Sequence, residues 1–350
     1  MKGINTVRRR YFGRFFTALL FTVLALCACA TRGATSAEEY FSIGMAYFDL
    51  GQAAKDESSR SRYFSDAEKW LNRAKSANKT MTASEYNLGR IAFETKRYDA
   101  AAVYFEAVLK KDPNNVLALK AAAYTRIKTG EIDLAEKHYE KLLKLVPESA
   151  DDGYNHALVL YAMERYDNAE KVLSSYPFAL QDSNDMMLLY ARSQKAQNKV
   201  EAIDSYAKLL DGSSDAKARY EYAQVLERHE MYARALEEYR KTLTEADKAG
   251  SGIKQSELRF ALARLLLVAD SESEEGIGEL ETAVKAGFND IEAVEELQKN
   301  ENISAANRSK LETIINNMQR NVDKNQPAVS DVSEDENEPV TETAPQDDSV

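Results

Sequence analysis

The sequence predicts an all-α fold, a solenoid of antiparallel helix pairs, and three observations carry that prediction. Gly (14) and Pro (6) are scarce among 350 residues, too sparse to punctuate a sheet-rich chain with many turns. Ala, Leu, Glu, Lys and Arg dominate, and these residues lose least on entering a helix. From Ala37 onward a pattern of small and aromatic residues returns about every 34 residues, the mark of a repeated supersecondary unit.

The first element is residues 1–28. It carries Lys2, Arg8, Arg9, Arg10 and Arg14 with no acid, then an apolar run from Phe15 to Ala28. A basic stretch before a short apolar core is the layout of a secretory signal. The run is roughly 14 residues, short of the ~20 that a membrane-spanning helix needs. Leu26-Cys27-Ala28-Cys29 resembles a lipobox, where a bacterial lipoprotein signal peptide is cut before a cysteine that then carries lipid. The resemblance favours Cys29 as the acylated residue, with Cys27 as the alternative, and residues 29–36 as a short linker. Two or three acyl chains, at about 0.8 kcal/mol per buried methylene, would hold the protein stably to a membrane.

The body follows as about seven helix pairs: 37–80, 82–115, 116–149, 150–180, 183–215, 216–249 and 256–288. The clearest is 82–115, where Leu88-Gly89, Tyr98, Ala101, Phe105 and Pro113 stand at regular places. Two antiparallel helices can approach closely only where side chains are small, so Gly89 and Ala101 mark the contact and Phe105 the filler. These positions resemble the tetratricopeptide repeat, which implies a right-handed superhelix. The same marks recur at Gly44, Ala67 and Leu71; at Ala123, Ala135 and Tyr139; at Ala157, Ala169 and Leu173; and at Ala223, Ala235 and Tyr239. The first pair carries a polar insertion, Gln52 to Arg62, that either lengthens its helices or forms a loop. Residues 291–320 are expected to cap the array with two helices, 291–298 and 305–320, since a solenoid end needs a polar outer face. Residues 321–350 hold three prolines, nine acids and one lysine, and are expected to form a disordered acidic tail.

Charge and residue chemistry then exclude function classes. The net charge is −11; setting aside the +5 leader and the −8 tail leaves −8 on the body. An acidic body without a clustered basic face argues against nucleic acid as a partner. Beyond Cys27 and Cys29 there is no thiol for a disulfide, a zinc site or a nucleophile. His156 falls on a packing position, and His138 and His229 have no neighbours at metal-ligand spacing. No Gly-rich phosphate loop or nucleophile elbow is present. The expectation is a protein that is not an enzyme, with no cofactor and no metal.

By resemblance to tetratricopeptide arrays, the first helix of each pair lines a concave ligand groove. Carried over, that groove presents Tyr86, Arg90 and Phe93, then Lys120, Tyr124 and Ile127. It continues with Tyr154, Leu158 and Tyr161, then Met187 and Ala191, then Tyr220 and Gln224. Aromatic side chains with few charges suit an apolar or amphipathic protein segment. The carboxylate clamp of some repeat proteins is not matched: Lys120 and Asn155 fit, but Tyr124, Asn184 and Leu188 replace the other polar positions. The leader and repeats together resemble spirochaete tetratricopeptide-repeat lipoproteins. They imply a lipid-anchored envelope scaffold with a protein partner, on the periplasmic face or at the outer membrane. A surface adhesin for a host molecule, or a small-ligand carrier or transporter accessory, are the alternatives.

Overall fold

The computed structural model describes residues 36–249 and 252–325, so Cys27, Cys29 and the stretch from residue 326 lie outside the described residues. All 17 described elements are α-helices, and there is no strand among the described residues. The chain divides into two compact units, up to Leu209 and from Leu210.

Unit one opens with α1 (Ala37–Ala53) and α2 (Glu57–Ala77). Ser36 and Glu39 start α1 with a reciprocal cap: the Ser36 hydroxyl accepts the Glu39 amide (3.1 Å) and the Glu39 carboxylate accepts the Ser36 amide (2.8 Å). The insertion lengthens both helices, to 17 and 21 residues against 13 and 14 in the next pair, leaving only a short break before Glu57. Regular pairs follow: α3 (Thr82–Glu94) with α4 (Tyr98–Lys111), α5 (Val116–Thr129) with α6 (Ile132–Leu145), and α7 (Ala150–Ala162) with α8 (Tyr166–Ser174). A one-and-a-half-turn helix, α9 (Pro177–Asp182), precedes α10 (Asn184–Ala196) and α11 (Ala202–Leu210). No repeat mark distinguishes α9 as a separate helix; Pro177 at its first turn supplies the φ that starts it.

Through α8 each first helix packs on its own second helix and each second helix packs on the next first helix, α8 on α10. The core therefore runs through the stack. Phe48, Phe64, Leu71, Leu88 and Ile91 form one cluster. Phe105, Leu119, Tyr139 and Leu142 lead the next, and Leu160, Leu173 and Leu189 belong to a third. Burying each such side chain contributes about 1.5–3 kcal/mol, and this rather than helix propensity holds the short helices.

The turn inside each pair has its own regularity. Lys96, Gly130, Glu164 and Asn198 all have positive φ (60°, 79°, 58° and 56°), and they are spaced by 34 residues. In these four pairs one left-handed residue closes the first helix and turns the chain back, whereas α1 ends at Ala54 in an extended conformation. Only Gly130 meets that demand without steric cost.

Unit two holds α12 (Ala216–Arg228), α13 (Tyr232–Ala249), α14 (Gln255–Ala269), α15 (Glu274–Lys285), α16 (Ile291–Gln298) and α17 (Ala305–Asn325). Its core gathers Leu267, Leu280, Val294, Leu297, Ile303, Leu311 and Ile315 across the last four helices. The closing helix continues to Asn325, past the boundary expected at residue 320. No proline interrupts the helix until Pro327, so nothing local stops it at the expected place.

Candidate functional site

In unit one the first helices α3 and α5 touch, as do α7 and α10, and side chains link α1 to α3 and α5 to α7 along the same face. Side chains bridge its rows. The Arg90 guanidinium of α3 lies over the Phe48 ring of α1 at 4.3 Å. Phe93 of α3 meets Tyr124 of α5 with ring centroids 5.4 Å apart, and Lys128 sits over Tyr124 at 5.3 Å. Lys120 of α5 pairs with Asp152 of α7 at 2.8 Å, and that buried carboxylate also accepts the Ser149 hydroxyl at 2.6 Å.

The groove residues expected from sequence divide between this face and the core. Tyr124 and Leu158 are exposed, at 44% and 40% of their surface. Tyr86 leans on Phe105 (5.6 Å), and Phe93 and Ile127 are half-buried against the same cluster. Tyr161 stands edge-on to Tyr166 at 5.1 Å, and two repeats earlier Phe93 meets Tyr98 at 5.2 Å in a tilted arrangement. Tyr154 is half-buried on the third cluster, and its hydroxyl pKa is raised by burial and by Asp185, against a lowering by Arg192. Met187 is half-buried.

Ala191 is not on the face: it is fully buried. The left-handed turn residues show why, because the 34-residue step from Glu164 to Asn198 carries Gly89 through Ala123 and Ala157 to Ala191. Ala191 is thus the close-contact residue of its pair. The same step places Leu188, Arg192 and Lys195 in line with Tyr154, Leu158 and Tyr161. A strict period, held without a one-residue slip, would have found them.

Tyr220 and Gln224 lie on α12 in unit two. Tyr220 packs on Tyr239 with centroids 5.8 Å apart. Around it polar groups tie the unit internally: Arg219 bonds Glu238 (2.7 Å) and Glu245 (2.8 Å), while the Tyr239 hydroxyl donates to Glu227 (2.9 Å). Burial and the Glu227 carboxylate push the Tyr239 hydroxyl far above its ordinary pKa, so it stays a donor.

The histidines take structural places. His138 Nε2 lies 2.9 Å from Glu106 Oε1. His156 is buried beside Tyr139, with neither ring nitrogen hydrogen-bonded and Glu136 4.0 Å away; burial lowers its pKa. Among the described residues no three His, Cys, Asp or Glu side chains gather in a way that could hold a metal. No described helix is long and apolar enough to cross a membrane.

A face of aligned first helices, with small residues beneath and a turn every 34 residues, defines a class of protein, and comparison agrees. Two family models described as tetratricopeptide repeat match residues 60–116 and 92–152. The C-terminal part of a tetratricopeptide-repeat-containing protein from Cytophaga hutchinsonii is similar over 72% of this chain and 98% of that one. Identity is 12% and the TM-score 0.56, a likeness of fold alone. A tetratricopeptide repeat protein from Parabacteroides merdae is 22% identical over 75% of this chain and 98% of that chain, with a TM-score of 0.47. YrrB, described as a tetratricopeptide repeat protein with an unusual peptide-binding site, is 18% identical over 52% of this chain and 94% of that chain, at 0.46. No curated protein matches. The chain thus contains tetratricopeptide repeats in an all-helical repeat fold, and such repeats suggest a protein–protein interaction scaffold.

Proposed function

We propose that this protein is a lipid-anchored scaffold of the cell envelope that holds a partner protein on the first-helix face of unit one. The observation that carries the reading is the exposure of Tyr124 and Leu158 on that face, between half-buried aromatic neighbours. Large apolar side chains held at the surface by a rigid stack cost solvation in the free protein, and a docked segment recovers it. The basic leader and the lipobox-like Leu26–Cys29 support anchoring through Cys29, on the periplasmic face or at the outer membrane.

A photo-crosslinking amino acid at position 124, in cells expressing the full chain, tests the partner. A discrete protein adduct that disappears when the crosslinker is moved to exposed Val103, on the second helix α4, is the expected result. Identical adducts from both positions would sink the reading. Metabolic labelling with a fatty-acid analogue tests the anchor separately: Cys29→Ala should abolish it, and continued labelling would move the site to Cys27 or remove it.

A further inference from the structure

The 34-residue register allows the charges on the binding face to be separated from those of the body. At the positions equivalent to Tyr86, Arg90, Phe93 and Glu94, the helices α3, α5, α7 and α10 carry five cations: Arg90, Lys120, Lys128, Arg192 and Lys195. Glu94 is their single acid, and it is tied to Arg60 at 2.7 Å. The body as a whole carries −8, so this face reverses the sign of the protein around it. Acids return at the first turns, as Glu85 on α3, Asp151 and Asp152 on α7 and Asp185 on α10; Glu85 is held by Lys75 and Lys111, and Asp152 by Lys120.

Two of these cations stand out by what holds them. Among the described residues neither Arg90 nor Lys128 has an ion-pair partner. Arg90 rests flat on Phe48 and gives one N–H to Asn87 Oδ1 at 3.0 Å. Lys128 rests on Tyr124, whose ring in turn meets Phe93. A cation–π contact positions a charge without neutralising it, and the remaining guanidinium and ammonium donors stay open to an anion. The cations therefore flank an apolar platform, Phe93 with the exposed Tyr124, at which a carboxylate and an apolar side chain can be read together.

Resting on the scaffold reading, we propose that the partner segment is acidic and apolar in alternation. Its carboxylates meet Arg90 and Lys128 while an aromatic or aliphatic side chain covers Tyr124. This differs from a grip on a chain terminus, because Arg90 lies on α3, outside the helices matched to a clamp, Lys128 lies eight residues beyond the matched Lys120 on α5, and the platform between them is apolar. The chain's own acidic stretch from residue 321 is the competing occupant; it shares the charge but has few apolar residues.

The test uses the purified full chain in mild detergent and four fluorescein-labelled peptides read by anisotropy. One alternates Glu with Phe and Leu; in two others Gln or Lys replaces Glu; the fourth is residues 321–350. The expected result is that the Glu peptide binds, weakens steeply with added salt, and loses roughly tenfold in affinity in Arg90→Gln and again in Lys128→Gln. A Lys peptide that binds only the Arg90→Glu/Lys128→Glu double variant would add support. Equal binding of the Glu and Gln peptides overturns the acidic preference but leaves the scaffold reading intact. Tighter binding of the 321–350 peptide overturns the proposal in favour of the chain's own segment. Binding of none of the four overturns the proposal, and the crosslink at position 124 then decides separately whether the face is used at all. Circular dichroism of each variant guards against misfolding, since neither Arg90 nor Lys128 lies in the core.

Discussion

In the α3/α4 pair of unit one the first helix supplies the hollow and the second supplies the filler. A Cβ on Gly89 would lie 2.6 Å from the Phe105 ring. In the α14/α15 pair of unit two the roles are exchanged: a Cβ on Gly276, in the second helix, would lie 2.7 Å from Leu267, in the first. Both fillers are fully buried or nearly so. Close approach of two helices requires one small and one large side chain, but either helix can provide either. The second pair therefore closes on the same small-and-large contact while lacking the repeat signature of the first. Polar groups differ too: unit two consumes Arg219, Glu238, Glu245 and Glu227 in internal bonds, whereas unit one leaves Arg90 and Lys128 resting on aromatic rings.

The largest test of this exchange is to remove the fillers. Phe105→Ala should cost about 3–5 kcal/mol and Leu267→Ala about 2–5 kcal/mol in denaturant unfolding. Hydrogen exchange should place the first loss in α3–α5 and the second in α14–α17. The same exchange pattern for both would mean that the units unfold together, and the comparison would break.

Filling the hollows is next. Gly89→Ala and Gly276→Ala should each cost about 1–3 kcal/mol through overpacking. Trimming the filler should then separate them. Phe105→Leu should relieve Gly89→Ala, whose nearest contacts are all with that ring. Leu267→Val should relieve Gly276→Ala only in part, because the Ala263 carbonyl oxygen also stands 3.2 Å from the added Cβ. Equal rescue in both double variants would show that the backbone contact does not matter.

A smaller effect belongs to the turns. Gly130→Ala should cost about 1–2 kcal/mol, because its φ of +79° is adopted at a steric cost by L-residues. Lys96→Gly should gain less than Gly130→Ala loses, since glycine also raises the entropy of the unfolded chain. A neutral Gly130→Ala, measured by thermal unfolding, would mean that the turn relaxes.

The last difference is in acid. Burial holds the His156 pKa below its ordinary 6.5, so the unfolded chain takes up the proton first. The stability of unit one should be full above about pH 6.5 and fall as pH drops toward the lower folded value. His156→Gln should flatten that limb for α6 and α7, read by exchange at two pH values. An unchanged limb would assign the acid sensitivity to carboxylates instead.

Much of the fold was legible because the repeat demands local features that residue types reveal. Gly89, Ala101 and Phe105 announced one helix pair, and their equivalents announced the next. The α9 helix was not legible, because its six residues are too few for a helical period. Ala191 was misplaced by one residue, and in a helix one residue turns a side chain by about 100°, from groove to core. The exposed half of the face, Tyr124 and Leu158, was legible, while the cations at Lys128 and Arg192 were not drawn into it.

By itself the sequence determined the helical class, the 34-residue step and the small and large residues on which each pair closes. Those follow from helix periodicity and steric volume, which act within one repeat. Tertiary structure alone decided which side chains of the face are taken up by neighbours. Tyr86 is spent on Phe105 and Lys120 on Asp152, while Arg90 is held over Phe48 and Lys128 over Tyr124. The reason is physical: periodicity fixes the side of a helix on which a residue lies. What it meets depends on the distance to the next helix, and packing sets that distance.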